Sequence, residues 1–350
     1  MSLRLTQEVL HLGLRDPFRI ARANHESSGG GVTTVVIELR DDRYQDLVGV
    51  GEGYPDRYYG ETPDTMAAVF PMLLEAVGQI EPSEAGLVAA DLAMEAAIRG
   101  HGAARCAVDI ALHDLVGKVT GLPVHGLRGL SAAIPPTDFT IGIDEPAIVA
   151  LRAARAADFP ALKIKLGGPQ DLATLEAVRA VFDGPIRVDA NTGWLPDEAV
   201  GLLPELERLG VELIEQPFPA GRLDQLRWLQ ERSPLPLVAD ESCVLPEDLD
   251  RLVGVVAGVN VKLAKCGGIG PAKRMLERAR ELGFRTFLGC MEETSVGIAG
   301  SAVVASLADW VDLDGCLLLA DDPFDGLDLD AEHRWILSTR PGLGLVRRVS

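Results

Sequence analysis

The chain has few of the residues on which sulfur and imidazole chemistry depend. Its six histidines form no metal-binding motif. Its five cysteines (Cys106, Cys243, Cys266, Cys290 and Cys316) are odd in number, scattered and without zinc-ligand spacing, which argues against a disulfide framework or a thiolate metal centre. The thiols read as reduced, as in a cytoplasmic protein. No apolar run reaches about 18 residues and no apolar signal segment follows the start, so the sequence offers neither a membrane span nor an export signal. Positive charge is also scarce. A formal net charge of -19 and a pI near 4.7 argue against a nucleic-acid partner or an anionic membrane surface. No Gly-x-Gly-x-x-Gly follows a strand, so a doubly wound dinucleotide fold lacks its fingerprint.

What is present is a large apolar complement, 47% of 350 residues, enough for one large domain and a smaller one. Strand-like runs occupy residues 3–12, 18–23, 32–39 and 47–51, and their polar or glycine-rich breaks predict an antiparallel meander. Two long loops, 22–31 rich in glycine and serine and 51–60 rich in tyrosine, are placed to form a lid. Thr62-Pro63 reads as a helix cap followed by proline at the first helical position. Helical periodicity then runs, with breaks, to Gly121-Leu122-Pro123. Beyond about residue 129 strand and helix alternate strictly. Apolar strands are predicted at 138–143, 161–166, 186–190, 212–216, 237–241, 259–263, 285–288 and 311–316, about 25 residues apart with a helix in each gap. Eight parallel strands at that spacing point to an α/β fold of the β/α-barrel type, with the stretch 326–350 returning to the first domain.

Within the second barrel strand, Lys163 and Lys165 lie one residue apart and so project from one face. At a separation of about 6.6 Å and an effective dielectric near 20, their repulsion is roughly 2.5 kcal/mol, almost two pK units. That pushes one amine toward the neutral form, a usable general base. Charged residues close almost every other strand as well: Asp189, Glu215, Asp240 with Glu241, Lys262, and Asp312 with Asp314. Charge at the end of an apolar strand is costly unless it is paired or bound to metal. Asp189, Glu215 and Asp240 come from three successive strands, which suits three oxygen ligands on one hard divalent cation, best Mg²⁺. Any one of them alone reads equally well as a helix cap. Lys262 falls across the barrel from Lys165, and Lys265 reads as a supporting or surface cation. Amines on opposite sides of a metal-held carboxylate suit removal of an α-proton to give an enolate, with return of a proton to the other face.

Lys163-x-Lys165, Asp189-x-Asn191, Glu215-Gln216-Pro217, Asp240-Glu241-Ser242 and Asn260-x-Lys262 followed by Gly267-Gly268 together resemble the enolase superfamily, in its muconate-lactonising subgroup. The resemblance extends to Asp109-x-x-Leu112-x-Asp114-x-x-Gly117-Lys118 and covers nearly the whole chain. It implies a modified TIM barrel, (β/α)7β, over residues 129–325, with an α+β capping domain over 1–128. It further implies Mg²⁺ on Asp189, Glu215 and Asp240, and Lys165 and Lys262 as the acid/base pair, tuned by Lys163. The seventh strand end reads Gly289-Cys290-Met291-Glu292-Glu293-Thr294 and lacks the histidine of mandelate-racemase-like members. Asp312-Leu313-Asp314 with Gly289 to Met291 resembles the dipeptide epimerases, where such a pair of carboxylates grips the free ammonium of an L-dipeptide. Substrate contacts are then expected from Asp312, Asp314, Arg22, Tyr54, Glu292 and Thr294.

The activity expected is inversion of the C-terminal residue of a dipeptide by 1,1-proton transfer. Competing readings on the same scaffold are an N-acylamino acid racemase, an o-succinylbenzoate synthase or a muconate cycloisomerase, none of which needs a site for an ammonium. A Schiff-base aldolase without metal, or a non-catalytic barrel, leaves the joint presence of both lysines and three carboxylates unexplained. The favoured dipeptide and the oligomeric state, a homo-oligomer included, are not written in the sequence.

Overall fold

The computed structural model describes residues 3–25 and 31–348. The chain opens with β1 (Leu3–Leu12), β2 (Phe18–Ile20), β3 (Ala23–His25), β4 (Val32–Asp41) and β5 (Gly49–Gly53). Three helices follow, α1 (Pro63–Val77), α2 (Glu84–Ala97) and α3 (Gly102–Thr120). Thr62 caps α1 by accepting from the Thr65 N–H, with proline at the first helical position as expected. The N-terminal sheet has the order β1-β4-β5, antiparallel throughout.

The predicted four-stranded meander is corrected at its second member. Residues 18–23 do not join that sheet; β2 pairs with β3 as a separate hairpin, Arg19 opposite Asn24. The backbone of Arg19 is satisfied instead by the barrel, its carbonyl accepting from the Ile143 N–H at 2.8 Å. Buried backbone groups must find a partner somewhere, and this one is found across the domain junction. Phe18 and Ile20 are thereby carried to the mouth of the barrel. Residues 26–30 of the expected glycine- and serine-rich loop lie outside the described residues.

Helix α3 is buried along almost its whole length, for a reason legible in two sequence patterns. Gly49, Gly51 and Gly53 face one side of β5, and a Cβ at each would meet the carbonyl of Ala111, Ala107 or Ala103 at 2.0–2.1 Å. Glycine at every second strand position meets alanine at every fourth helix position, so the two backbones touch. Another face of the same stretch of α3 docks on the barrel. Asp109 accepts from the Ile269 N–H at 2.6 Å, and Arg105 donates to the Cys266 carbonyl at 3.1 Å. Asp114 accepts from Val50, Lys118 and Leu343, the last tying the C-terminal stretch to this helix. That stretch also touches the barrel, where Trp335 donates to the Leu313 carbonyl.

After a short helix, α4 (Val124–Leu127), come the barrel strands: β6 (Phe139–Ile141), β7 (Leu162–Lys165), β8 (Ile186–Asp189), β9 (Val211–Glu215), β10 (Leu237–Ala239), β11 (Gly258–Lys262), β12 (Arg285–Gly289) and β13 (Trp310–Asp312). All eight pair in parallel in chain order, and the Thr137 to Val311 bridge closes the ring. Between them run α5 (Pro146–Arg155), α6 (Asp171–Arg179), α7 (Pro196–Arg208), α8 (Leu223–Gln230), α9 (Pro246–Leu252), α10 (Leu263–Cys266), α11 (Ile269–Glu281) and α12 (Ser295–Ala302), with α13 (Gly315–Leu318) after the last strand. The strands are short, apolar and buried on both faces, as parallel strands under helices must be. Among the described residues no helix is long and apolar enough to cross a membrane.

A buried carboxylate pair marks the junction between the two parts. Glu52 on β5 accepts from the backbone of Thr294 and Gly297, at the start of α12, and from the Thr34 and Thr294 hydroxyls. Beside it Glu293 is fully enclosed, and burial followed by the Glu52 charge pushes its carboxyl up to about 8. A carboxyl raised in the folded state keeps its proton between about pH 4.5 and pH 8 while the unfolded chain has lost it. Stability from this group is therefore present below that window and lost as pH rises through it. Glu293→Gln is expected to recover roughly 1–4 kcal/mol at pH 8.5 and little at pH 5. Thermal unfolding of the two proteins at both pH values measures it, and an equal effect at both would show that Glu293 does not titrate on folding.

Candidate active site

Strand register sets the charged residues in one layer. Lys165 on β7 is paired with Asp189 on β8, which is paired with Glu215 on β9; across the barrel Lys262 pairs with Gly289 and Gly289 with Asp312. Each of these residues is the last of its strand or adjoins it, and Asp240 directly follows β10. Because the βα loops of such a barrel converge on this end, side chains there meet even when their codons are far apart.

One carboxylate oxygen from each of Asp189, Glu215 and Asp240 lies within 4.8 Å of the other two, and all three side chains are buried. The fit to a hard cation rests on the chemistry of the donor set: three buried carboxylates converge, and Glu215 Oε2 meets only the ion pair with Lys163 Nζ at 2.8 Å, with no aligned hydrogen bond among the described residues. Three oxygen donors and no nitrogen or sulfur suit Mg²⁺. The neighbours hold these ligands in place. Asn260 donates to Glu215 at 2.7 Å, Asn191 to Asp189 at 3.2 Å, and the Gln216 carbonyl accepts from the Asp240 N–H at 2.9 Å.

Lys165 and Lys262 stand on strands four apart in a ring of eight and open into the same cavity, of about 550 Å³. Lys165 Nζ lies 2.7 Å from Asp189 and Lys262 Nζ 2.9 Å from Asp240. Burial lowers the Lys262 pKa, but Asp240, Glu215 and Asp189 together outweigh it and hold the ammonium above its ordinary range. Lys265 is not a surface cation. It is buried, with Nζ donating to Asp240 Oδ1 at 2.5 Å and to the carbonyls of Asp240, Cys243 and Asn260.

The expectation drawn from Lys163 and Lys165 alone is corrected for Lys163. Burial does lower its pKa, but Asp312 at 2.7 Å, Glu215 at 2.8 Å and Asp189 at 3.4 Å surround it and raise it well above the usual lysine range. Two-body repulsion is outweighed by three carboxylates that only the closed barrel brings together. Lys163 is a fixed positive charge beneath the cavity.

Asp312 and Asp314 both line the cavity and share Thr140. The Thr140 hydroxyl lies 3.0 Å from Asp312 and 3.4 Å from Asp314, and its N–H donates to Asp314 at 2.5 Å. Burial and the charge of Asp312 raise the Asp314 carboxyl, whereas for Asp312 burial is outweighed by Lys163, Asp138 and Lys165 together, which hold it below the usual range. Arg22, Tyr54 and Glu292 also lie in the cavity wall. Thr294, expected among the substrate contacts, is not among the residues lining the cavity: it is buried, caps α12 and turns its hydroxyl to Glu52. Its side chain completes a helix terminus whose free N–H groups need acceptors. Sequence reasoning missed Thr140, which carries no charge and no motif. It passed over Glu241, which takes Arg22 at 2.5 Å, although the residue adjoins a proposed ligand.

Residues 147–348 match the family described as Enolase C-terminal domain-like, and residues 8–129 match the Mandelate racemase / muconate lactonizing enzyme, N-terminal domain. An L-Ala-D/L-Glu epimerase of Bacteroides thetaiotaomicron is 36% identical, covering 99% of this chain and 88% of its own. An L-Lys-D/L-Arg epimerase of Methylococcus capsulatus is 35% identical over 96% of both chains. Among solved structures, a dipeptide epimerase of Enterococcus faecalis complexed with Mg and L-Leu-L-Tyr superposes with a TM-score of 0.89 at 31% identity, covering 99% of each chain.

Proposed function

The chain belongs to the mandelate racemase / muconate lactonizing enzyme family with an enolase-like barrel, and from that premise we propose that it is a Mg²⁺-dependent dipeptide epimerase, an isomerase inverting the α-carbon of the C-terminal residue. The observation that carries the reading is a single cavity into which Lys165, Lys262 and the Asp312/Asp314 pair all open. Two amines from opposite strands can reach opposite faces of one carbon. A carboxylate pair on the adjoining wall suits a free α-ammonium, which neither an N-acylamino acid nor muconate possesses.

In this reading the neutral amine of Lys165 or Lys262 takes the α-proton from one face. The C–H electrons pass into the substrate carboxylate as an enolate, and the ammonium of the other lysine gives its proton to the opposite face. Bound by Asp189, Glu215 and Asp240, Mg²⁺ would supply positive charge against the dianionic enolate. Lys163 adds a fixed cation below the same carboxylates. Asp314 and Asp312, anchored on Thr140, orient the substrate by its ammonium. The five unpaired cysteines fit a cytoplasmic location, which belongs to the proposal.

The test is incubation of free and N-acetylated L,L-dipeptides with protein and Mg²⁺ in D₂O. Mass spectrometry should find α-deuterium in the C-terminal residue of the free dipeptides, with N-acetylation lowering kcat/KM by about 100-fold or more, because it leaves buried carboxylates without a cation. Silence across the free dipeptides with folded protein, or a preference for the acetylated series, overturns the reading.

A further inference from the structure

The relatives above carry acidic, basic and apolar side chains in their names, so similarity does not choose among them, whereas the cavity wall does. Resting on the epimerase reading, we infer that Glu292 selects a dipeptide whose N-terminal residue bears a basic side chain. Glu292 sits in the wall of the cavity, and among the described residues no cation lies within ion-pair reach of it. The Tyr54 hydroxyl neighbours it; burial and then the Glu292 carboxylate hold that phenol well above its usual range. A half-buried carboxylate beside a neutral phenol keeps acceptor capacity for a charged donor.

Position assigns the residue it would face. The turn carrying Glu292 packs directly on the residue after Asp314: a Cβ at Gly315 would meet the Met291 carbonyl at 2.2 Å and the Glu293 nitrogen at 3.0 Å. The turn that carries Glu292 therefore borders the carboxylate pair proposed for the α-ammonium. Phe18, Met291 and Leu318 form an apolar wall in the same cavity, suited to the methylene stem of lysine or arginine, whose charged head then reaches a carboxylate. On the other side of the cavity Arg22, the cation best placed for an acidic side chain, is already held by Glu241 at 2.5 Å and stacks on Tyr58. Arg57 is exposed in the wall and is the competing cation, so an acidic dipeptide belongs in the test.

Initial rates of α-deuteration in D₂O are measured for L-Lys-L-Ala, L-norleucyl-L-Ala, L-Glu-L-Ala, L-Ala-L-Lys and L-Ala-L-norleucine, with the native protein and with Glu292→Gln. Norleucine keeps the stem and removes the charge. The native protein should prefer L-Lys-L-Ala over L-norleucyl-L-Ala by about 10- to 100-fold in kcat/KM, and Glu292→Gln should shrink that ratio to within about threefold. L-Ala-L-Lys and L-Ala-L-norleucine should differ by less than about threefold. Equal rates for lysine and norleucine at the first position, a preference for L-Glu-L-Ala, or a ratio that survives Glu292→Gln overturns the inference while turnover of the neutral dipeptides leaves the epimerase reading standing. Silence with all five removes both.

Discussion

Lys262→Ala is expected to abolish epimerisation of a dipeptide while α-proton exchange continues with one stereoisomer, and Lys165→Ala is expected to do the same with the other. In the proposed mechanism each amine serves one face of the reacting carbon, a division suggested by their positions on strands four apart in the ring of eight, opening into one cavity. With one amine gone, the remaining lysine still removes a proton from its own face and returns deuterium there, with retention. Inversion needs both. General acid/base catalysis contributes about 10²- to 10⁴-fold per group, so epimerisation should fall by at least about 10²-fold in each variant. The fold should survive, because neither carboxylate is stranded. Asp240 keeps Lys265 at 2.5 Å when Lys262 is removed, and Asp189 keeps Lys163 at 3.4 Å and Asn191 when Lys165 is removed. Proton NMR in D₂O, starting separately from the L,L and L,D forms, measures exchange and inversion in the same sample. If either alanine variant interconverts the isomers at the native rate, one lysine serves both faces and the two-base assignment fails.

The placement of the two lysines on strands four apart was legible in the sequence because barrel strands announce themselves twice. Each is a short apolar run at a fixed spacing, and each ends on a charge that an apolar run has no cause to carry unless something meets it. Where the decisive contact is long-range, the sequence is silent. Residues 18–23 have the pattern of a sheet strand, and nothing local says that their backbone will bond to Ile143 instead of to β1. Thr294 adjoins the motif at the seventh strand end, yet its partner is Glu52, 242 residues earlier. Lys163 shows the limit most clearly: pairwise electrostatics between neighbours predicts a lowered pKa, and three carboxylates from β8, β9 and β13 reverse the sign. Gly49, Gly51 and Gly53 with Ala103, Ala107 and Ala111 carry a signal that pattern reading can use, since spacings of two and four say in advance which faces will touch.

Removing that central cation should have the largest effect on stability of any single change in the site. Lys163→Met keeps an unbranched apolar stem but leaves Asp312, Glu215 and Asp189 without the ammonium that lies 2.7, 2.8 and 3.4 Å from them. Asp189 retains Lys165 and Glu215 retains Asn260, so the burden falls on Asp312, which keeps its hydrogen bonds with Thr140 and Asp138 but loses its 2.7 Å ion pair. Breaking a buried ion pair from one side costs about 3–5 kcal/mol, and chemical denaturation of the protein without divalent metal at pH 8 should show a loss of that order. The pH dependence has a definite sign. Asp312 is held below the usual carboxylate range, so its stabilisation is present above about pH 4 and is lost as pH falls. The native protein and the variant should accordingly differ fully at about pH 4 and above and converge only as pH falls below that. Mg²⁺ should raise the unfolding temperature of the variant by more than that of the native protein, because a divalent cation at Asp189, Glu215 and Asp240 replaces part of the missing charge. An equal Mg²⁺ increment in both proteins would mean that Lys163 and the metal do not balance the same carboxylates. An unfolding free energy unchanged by the substitution would mean that the ammonium contributes no net stability there.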